Sequence, residues 1–186
     1  MMSFEESLVW HASPTLASIK IANLYSFRFQ NMVECLETIR RFNELMNDKG
    51  IYIELLKDTG DFYLIYVYRK NHLQKVISDR NIKVFLKQYS YPLNNNISDH
   101  IESLRWRLKT GKDFPHEIGI FLGYPIEDVK SFIETKGCNS VLCGDWKVYH
   151  DEDRARCLFC KYKHCREMYI KVYREGRRFV DMLVSA

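Results

Sequence analysis

The chain contains no stretch approaching the length of uninterrupted apolar residues that a transmembrane helix needs, about 20. No membrane span is therefore expected. Its N-terminus, MMSFEESLVWHASP, is acidic early and lacks the basic segment and long apolar run of a signal peptide. Proline and glycine are scarce, at 4 and 8 in 186 residues. There is no low-complexity tract, no internal repeat and no linker-like run; Asn94-Asn95-Asn96 is short and reads as a loop tip. These absences predict a cytoplasmic protein folded as one domain over residues 1–186. With 46% hydrophobic residues, a chain of this size can bury a substantial core. The six cysteines, without an export signal, are expected as reduced thiols rather than disulfides.

The spacing of apolar residues sets the expected elements. Residues 3–11 read as a short helix that stops before Pro14, because a residue preceding proline avoids the α region. Residues 12–22 read as loop or a single helical turn. Residues 24–29 alternate and are rich in aromatics, which suits a strand. Over 31–49, Met32, Leu36, Ile39, Phe42 or Asn43, and Met46 recur at helical spacing, and Gly50 can close the helix. Residues 51–56 and 62–68 are β-prone runs around Lys57-Asp58-Thr59-Gly60-Asp61, which predicts a hairpin at 51–68. Short helices follow at 71–78, 82–89 and 98–109, the last with Ser98 as N-cap. Residues 144–149 read as a further strand, and 151–175 as the longest helix, with three acids at its start and Gly176 after its end. A hairpin among many helices, without regular βαβ alternation, defines an α+β class: a small, mainly antiparallel sheet packed with several helices.

The stretch over 113–134, DFPHEIGIFLGYPIEDVKSFIE, is unusually dense in signals. Pro115 and Pro125 each stand where a helix can begin, and acids follow each one: Glu117, then Glu127 and Asp128. The segment reads as two short helices joined tightly at Gly123-Tyr124-Pro125. Together with CGDWKVYHDEDRA near the end and HASPTLASIKIANLYSF near the start, it resembles an uncharacterised bacterial family, the domain of unknown function numbered thirty-seven ninety-three. The family's opening signature tends to read His-Cys-x-Pro-Thr-Leu, and Ala12 stands here where a cysteine is common. The resemblance implies a single-domain bacterial protein of this size. It implies no activity and names no cofactor.

Three candidate sites follow. The first is a helix-turn-helix over 115–134, in which Gly119, Leu122, Val129 and Phe132 have the right spacing. Its second helix starts Ile126-Glu127-Asp128, and carboxylates there would repel phosphate, which argues against nucleic acid. A basic run over 154–178, with nine Lys/Arg against Glu167 and Glu175, could support a nucleic-acid- or protein-binding adaptor, although such runs are more often solvated faces. The second candidate is a metal site at Cys157-x-x-Cys160-x-x-x-His164. It has only a loose partner in Cys138-x4-Cys143, so a fourth ligand is lacking and no bound zinc is expected. On the same helix Ala155, Leu158, Tyr162, Cys165, Tyr169 and Val172 form an apolar stripe that places Cys165 toward the core.

The third candidate is a pocket for a small molecule or cofactor, drawn from the three motif segments: His11, Thr15, Lys20, His116, Glu117, Cys143, Trp146 and Lys147. His116 beside Glu117 could do acid–base work or bind an anion, and Cys143 could act as a nucleophile if a histidine lay within reach. For any one of them the plainer role, a cap, a buried thiol or a packed ring, is commoner. As a set in motif-rich segments they point to binding.

Overall fold

The computed structural model describes residues 2–111 and 113–185. The α+β class holds, with a three-stranded and a two-stranded antiparallel sheet among helices. The chain divides into two compact units, one from Met1–Leu73 with Cys165–Ala186, the other from Gln74–His164.

In the first unit, α1 (Phe4–Leu16) starts where Ser3 accepts from the Glu6 amide and Glu5 and Glu6 complement the helix dipole. It does not stop before Pro14 as the sequence predicts. Pro14 forfeits one amide donor, but Ser13, Pro14, Thr15 and Leu16 are all buried, and that burial holds the last turn in place. Position 12 is fully buried, so Ala12 fills a core site that favours a small side chain.

β1 (Ala22–Phe27) follows, then α2 (Met32–Met46), capped by Asn31 on the Glu34 amide at 2.9 Å, with Glu34 reaching back to the Gln30 amide. A 3-10 turn, Asn47–Lys49, leads to Gly50, which takes φ +76 and ends the helical run as expected. The buried face of α2 is Cys35, Ile39, Phe42 and Met46. Met32 and Leu36, expected on that face, are exposed, because Cys35 falls in line with Ile39 and Phe42 and occupies the inward position.

The hairpin is β2 (Ile51–Asp58) and β3 (Tyr63–Arg69), and the sheet order is β1-β3-β2. Asn43 of α2 bonds both the amide and the carbonyl of Ile53, which pins helix to strand. Phe4 sits in an aromatic cluster, with Phe27, Phe29 and Phe42 at 5.1–5.4 Å between ring centres.

Next comes α3 (Lys70–Ser78), and in the second unit α4 (Arg80–Lys87) is capped by Asp79 on the amides of Asn81 and Ile82. The N-cap of α5 (Ile97–Thr110) is Asn96, not Ser98, since Asn96 accepts from the Ser98 amide. α6 (Ile118–Phe121) and α7 (Ile126–Thr135) meet across the tight turn at Gly123. A Cβ on Gly119 would come within 2.8 Å of Val129, so this glycine is what lets the two short helices close on each other. The strand expected at 144–149 is instead a miniature hairpin, β4 (Leu142–Cys143) and β5 (Lys147–Val148), separate from the main sheet. α8 (Glu152–Arg174) keeps the predicted stripe: Ala155 and Tyr162 are buried and Leu158, Cys165, Tyr169 and Val172 are half-buried.

Candidate functional site

Asp128 organises the motif-rich part of the second unit. Its carboxylate is buried and accepts three N–H bonds, from the Trp146 indole at 2.8 Å and from the backbone of Tyr149 and His150 at 2.9 and 3.0 Å. The start of α7 is thereby tied to the CGDWKVY hairpin. The sequence signal was present, an acid at the N-terminus of a helix, but by itself it marks only a complement to the helix dipole.

The second carboxylate of the helix-turn-helix reading therefore turns inward, and its end of α7 is engaged by the protein's own hairpin. Trp146 stacks on Tyr124 at 5.1 Å and meets the Phe159 edge at 4.6 Å, while Tyr124 donates to the Asp145 carbonyl. Gly144 permits this packing, because a side chain there would collide with the Phe159 ring.

A cleft of about 390 Å³ opens beside this clamp. Pro125, Ile126, Trp146 and Leu158 give it apolar walls, and Glu127, His150, Asp151 and Arg154 give it polar groups. That combination, with a few charged groups around an apolar wall, is typical of small-molecule sites. His150 also pairs with Ser131 at 3.1 Å. Among the described residues nothing orients the other ring nitrogen of His150, so the pair is a surface hydrogen bond and not an activated nucleophile.

The other predicted residues of this unit lie as follows. Cys143 and Lys147 are direct cross-strand partners in the β4–β5 ladder. The Lys147 ammonium donates to the Gly137 carbonyl at 2.6 Å and lies 6.0 Å from the Phe132 ring centre, and the His116 ring packs 4.9 Å from the same ring. His116 and Lys147 thus share Phe132, with Cys143 across the ladder from Lys147, while Trp146, just before the strand, lines the cleft. Glu117 parts from His116. It is buried, paired with Arg107, and accepts from the Tyr91 hydroxyl at 3.2 Å. Burial and that carboxylate push the Tyr91 hydroxyl far above its ordinary range.

In the first unit, Thr15 is buried and donates to Asn23 at 2.7 Å, and Lys20 is buried nearby in sequence. His11 is exposed at the edge of α1 and stacks on Tyr25 at 4.8 Å. Partial burial, then the Arg166 charge, holds its pKa below the ordinary 6.5. The residue missed in this unit is Arg69. It is fully buried and donates to the backbone carbonyls of Thr15, Leu16, Lys49 and Val184.

Cys157, Cys160 and His164 are exposed on α8. Among the described residues no group of three or more His, Cys, Asp or Glu stands where it could hold a metal ion. Part of the basic run is neutralised locally: Arg156 pairs with Glu152, Arg178 pairs with Asp181 through two bonds, and Arg174 sits over the Trp10 ring. Among the described residues no helix is long and apolar enough to cross a membrane.

Fold and site together define an α+β protein in which the segments around Asp128 and Trp146 are joined by one hydrogen-bonded clamp beside a mixed polar and apolar cleft. A family model described as "Protein of unknown function (DUF3793)" matches residues 8–183, and the chain belongs to that family. No curated protein and no solved structure matches it.

Proposed function

We propose that the protein binds a small molecule in the cleft beside Asp128. The observation that supports this is the cleft's construction: Trp146 is fixed by the buried Asp128 bond, so an aromatic wall is held rigidly beneath Glu127, His150, Asp151 and Arg154. A preorganised apolar wall with convergent polar groups lowers the entropic cost of binding. The ligand class that suits these groups is a compact molecule with an apolar body and both acceptor and donor groups. No reaction is assigned to it. The wider expectation within this unit, that His116, Cys143 and Lys147 share one pocket with Trp146, belongs to the same proposal and has its own readout.

The test is native mass spectrometry of protein purified from its own host, alongside a thermal-shift screen of metabolites. A retained or screened ligand is expected to bind wild type and to be lost in Leu158→Glu, which places a charge on the apolar wall. His116→Ala should weaken binding if the wider pocket is right and leave it unchanged if only the cleft binds. A ligand whose affinity ignores Leu158→Glu would sink the cleft reading. An adaptor role through 115–134 and the basic helix would instead show as a salt-dependent gel shift.

A further inference from the structure

We propose that a second groove in the unit Gln74–His164, distinct from the cleft beside Asp128, binds an organic cation: the guanidinium or alkylammonium head of a small molecule or of a basic side chain. The groove holds about 450 Å³ and is lined by Tyr89, Ser90, Asp99, Glu102, Ser103, Trp106 and Arg107. On α5 the lining residues Asp99, Glu102, Ser103 and Trp106 recur at helical spacing and so form one continuous wall.

Trp106 carries the argument. It is 61% exposed, more than Phe114 or Phe62. Among the described residues its indole has no ring, cation or hydrogen-bond partner. A free indole face is the best cation-binding surface a protein side chain offers. The groove already holds one such pair, since the Arg107 guanidinium lies 5.1 Å over the Tyr89 ring. Trp106 is the second aromatic of the same lining, without its cation.

Charge points the same way. Arg107 is balanced by the buried Glu117 carboxylate, and Glu102 by Arg105 at 3.2 Å. Asp99 is left with no cationic partner among the described residues. Its two oxygens are instead oriented by the amides of Asn94 and Asn96, at 2.7 and 3.0 Å. Those amides fix the carboxylate without neutralising it. It stands about 10 Å along the helix from Trp106, seven residues at 1.5 Å each. An elongated cation can lay its charged head on the indole and its donors toward Glu102 and Asp99. An anionic ligand would face that uncompensated charge.

The experiment follows the Trp106 indole N–H resonance by NMR, assigned with Trp106→Phe, during titration of N-acetylarginine amide, n-butylammonium and the neutral isostere N-acetylcitrulline amide. Saturable shifts are expected with both cations and none with the citrulline compound. Asp99→Asn should weaken binding about fivefold, and Trp106→Ala, followed through the Ser103 amide, by at least as much. Both positions are exposed, so both variants should keep the wild-type circular dichroism. A glycine-flanked arginine peptide that binds at least tenfold tighter than acetylarginine amide identifies a basic side chain as the source. Equal or weaker peptide binding identifies a free small cation. Equal shifts with arginine and citrulline compounds, or affinity indifferent to Asp99→Asn, would overturn the proposal.

Discussion

Asp128 and Arg69 are both buried, and most of their hydrogen bonds go to backbone, two of three for Asp128 and all four for Arg69. A buried charge left without partners is costly, and one bonded to several peptide groups is not. Asp128→Ala is expected to leave the Trp146 indole and two amides without an acceptor and to cost about 3 kcal/mol, read as a lowered urea midpoint. Arg69→Met would take a donor from four backbone carbonyls, those of Thr15 and Leu16 at the buried end of α1 and the part-buried ones of Lys49 and Val184, and should cost about 3 kcal/mol. Arg69→Lys should recover only part of that, because an ammonium cannot reach four carbonyls from a planar fork. His11 gives a pH signature. Its pKa is below 6.5 in the folded chain, so the unfolded chain binds more protons in that window. Its contribution is absent above about pH 6.5, turns destabilising as pH falls toward the folded pKa, and levels off below it. His11→Gln should flatten that slope in urea midpoints measured between pH 7.5 and 5, a window set around the ordinary histidine pKa.

At the scale of elements, the α6–α7 corner tests how closely two short helices depend on one missing side chain. Gly119→Ala places a methyl against Val129 and Tyr124 and should cost about 1–3 kcal/mol by overpacking. Adding Val129→Ala should return part of that loss, and a purely additive double variant would show that the contact is not the cause. This corner was legible in the sequence because proline, acid and glycine mark helix ends through local chemistry. The hairpin over Ile51–Arg69 was legible for the same reason, through two β-prone runs and a turn containing Gly60. The errors came where distant contacts overrode local rules. Pro14 reads as a helix stop, yet burial of its turn and the Arg69 bonds to Thr15 and Leu16 carry the helix past it. Ser98 reads as a cap, yet Asn96 stands two residues earlier with its side chain on the Ser98 amide. The miniature hairpin at Leu142–Val148 has strands of two residues each, too short for periodicity to register, and Asp128 rather than propensity holds it.

At the scale of the whole chain, the candidate site was visible as motif residues and not as geometry. Glu117 shows why: its sequence neighbour is His116, but its partners are Arg107 and Tyr91, ten and twenty-six positions away. Cys143 beside Lys147 follows from strand pairing alone, and no spacing rule could bring His116 and Lys147 to the same Phe132 ring. The thiols offer one measurement that reads the entire fold at once. Cys138, Cys143, Cys157 and Cys160 are exposed, Cys165 is half-buried and Cys35 is buried. Burial pushes the Cys35 thiol up to about 11, with Asp58 and Glu34 adding to it, and pushes Cys165 up to about 11 against the pull of Arg166. Only a thiolate attacks a disulfide reagent, so access and pKa act together. Native protein at about pH 8, close to the ordinary cysteine pKa, should therefore release chromophore from Ellman's reagent in three stages. Four equivalents come quickly, a fifth slowly from Cys165, and the sixth only when denaturant opens the core around Cys35. Cys35→Ser should remove the denaturant-dependent stage alone. Fast reaction of all six in the native state would mean that α2 does not pack its Cys35 face against the core, and fewer than four would mean that exposed thiols are already paired.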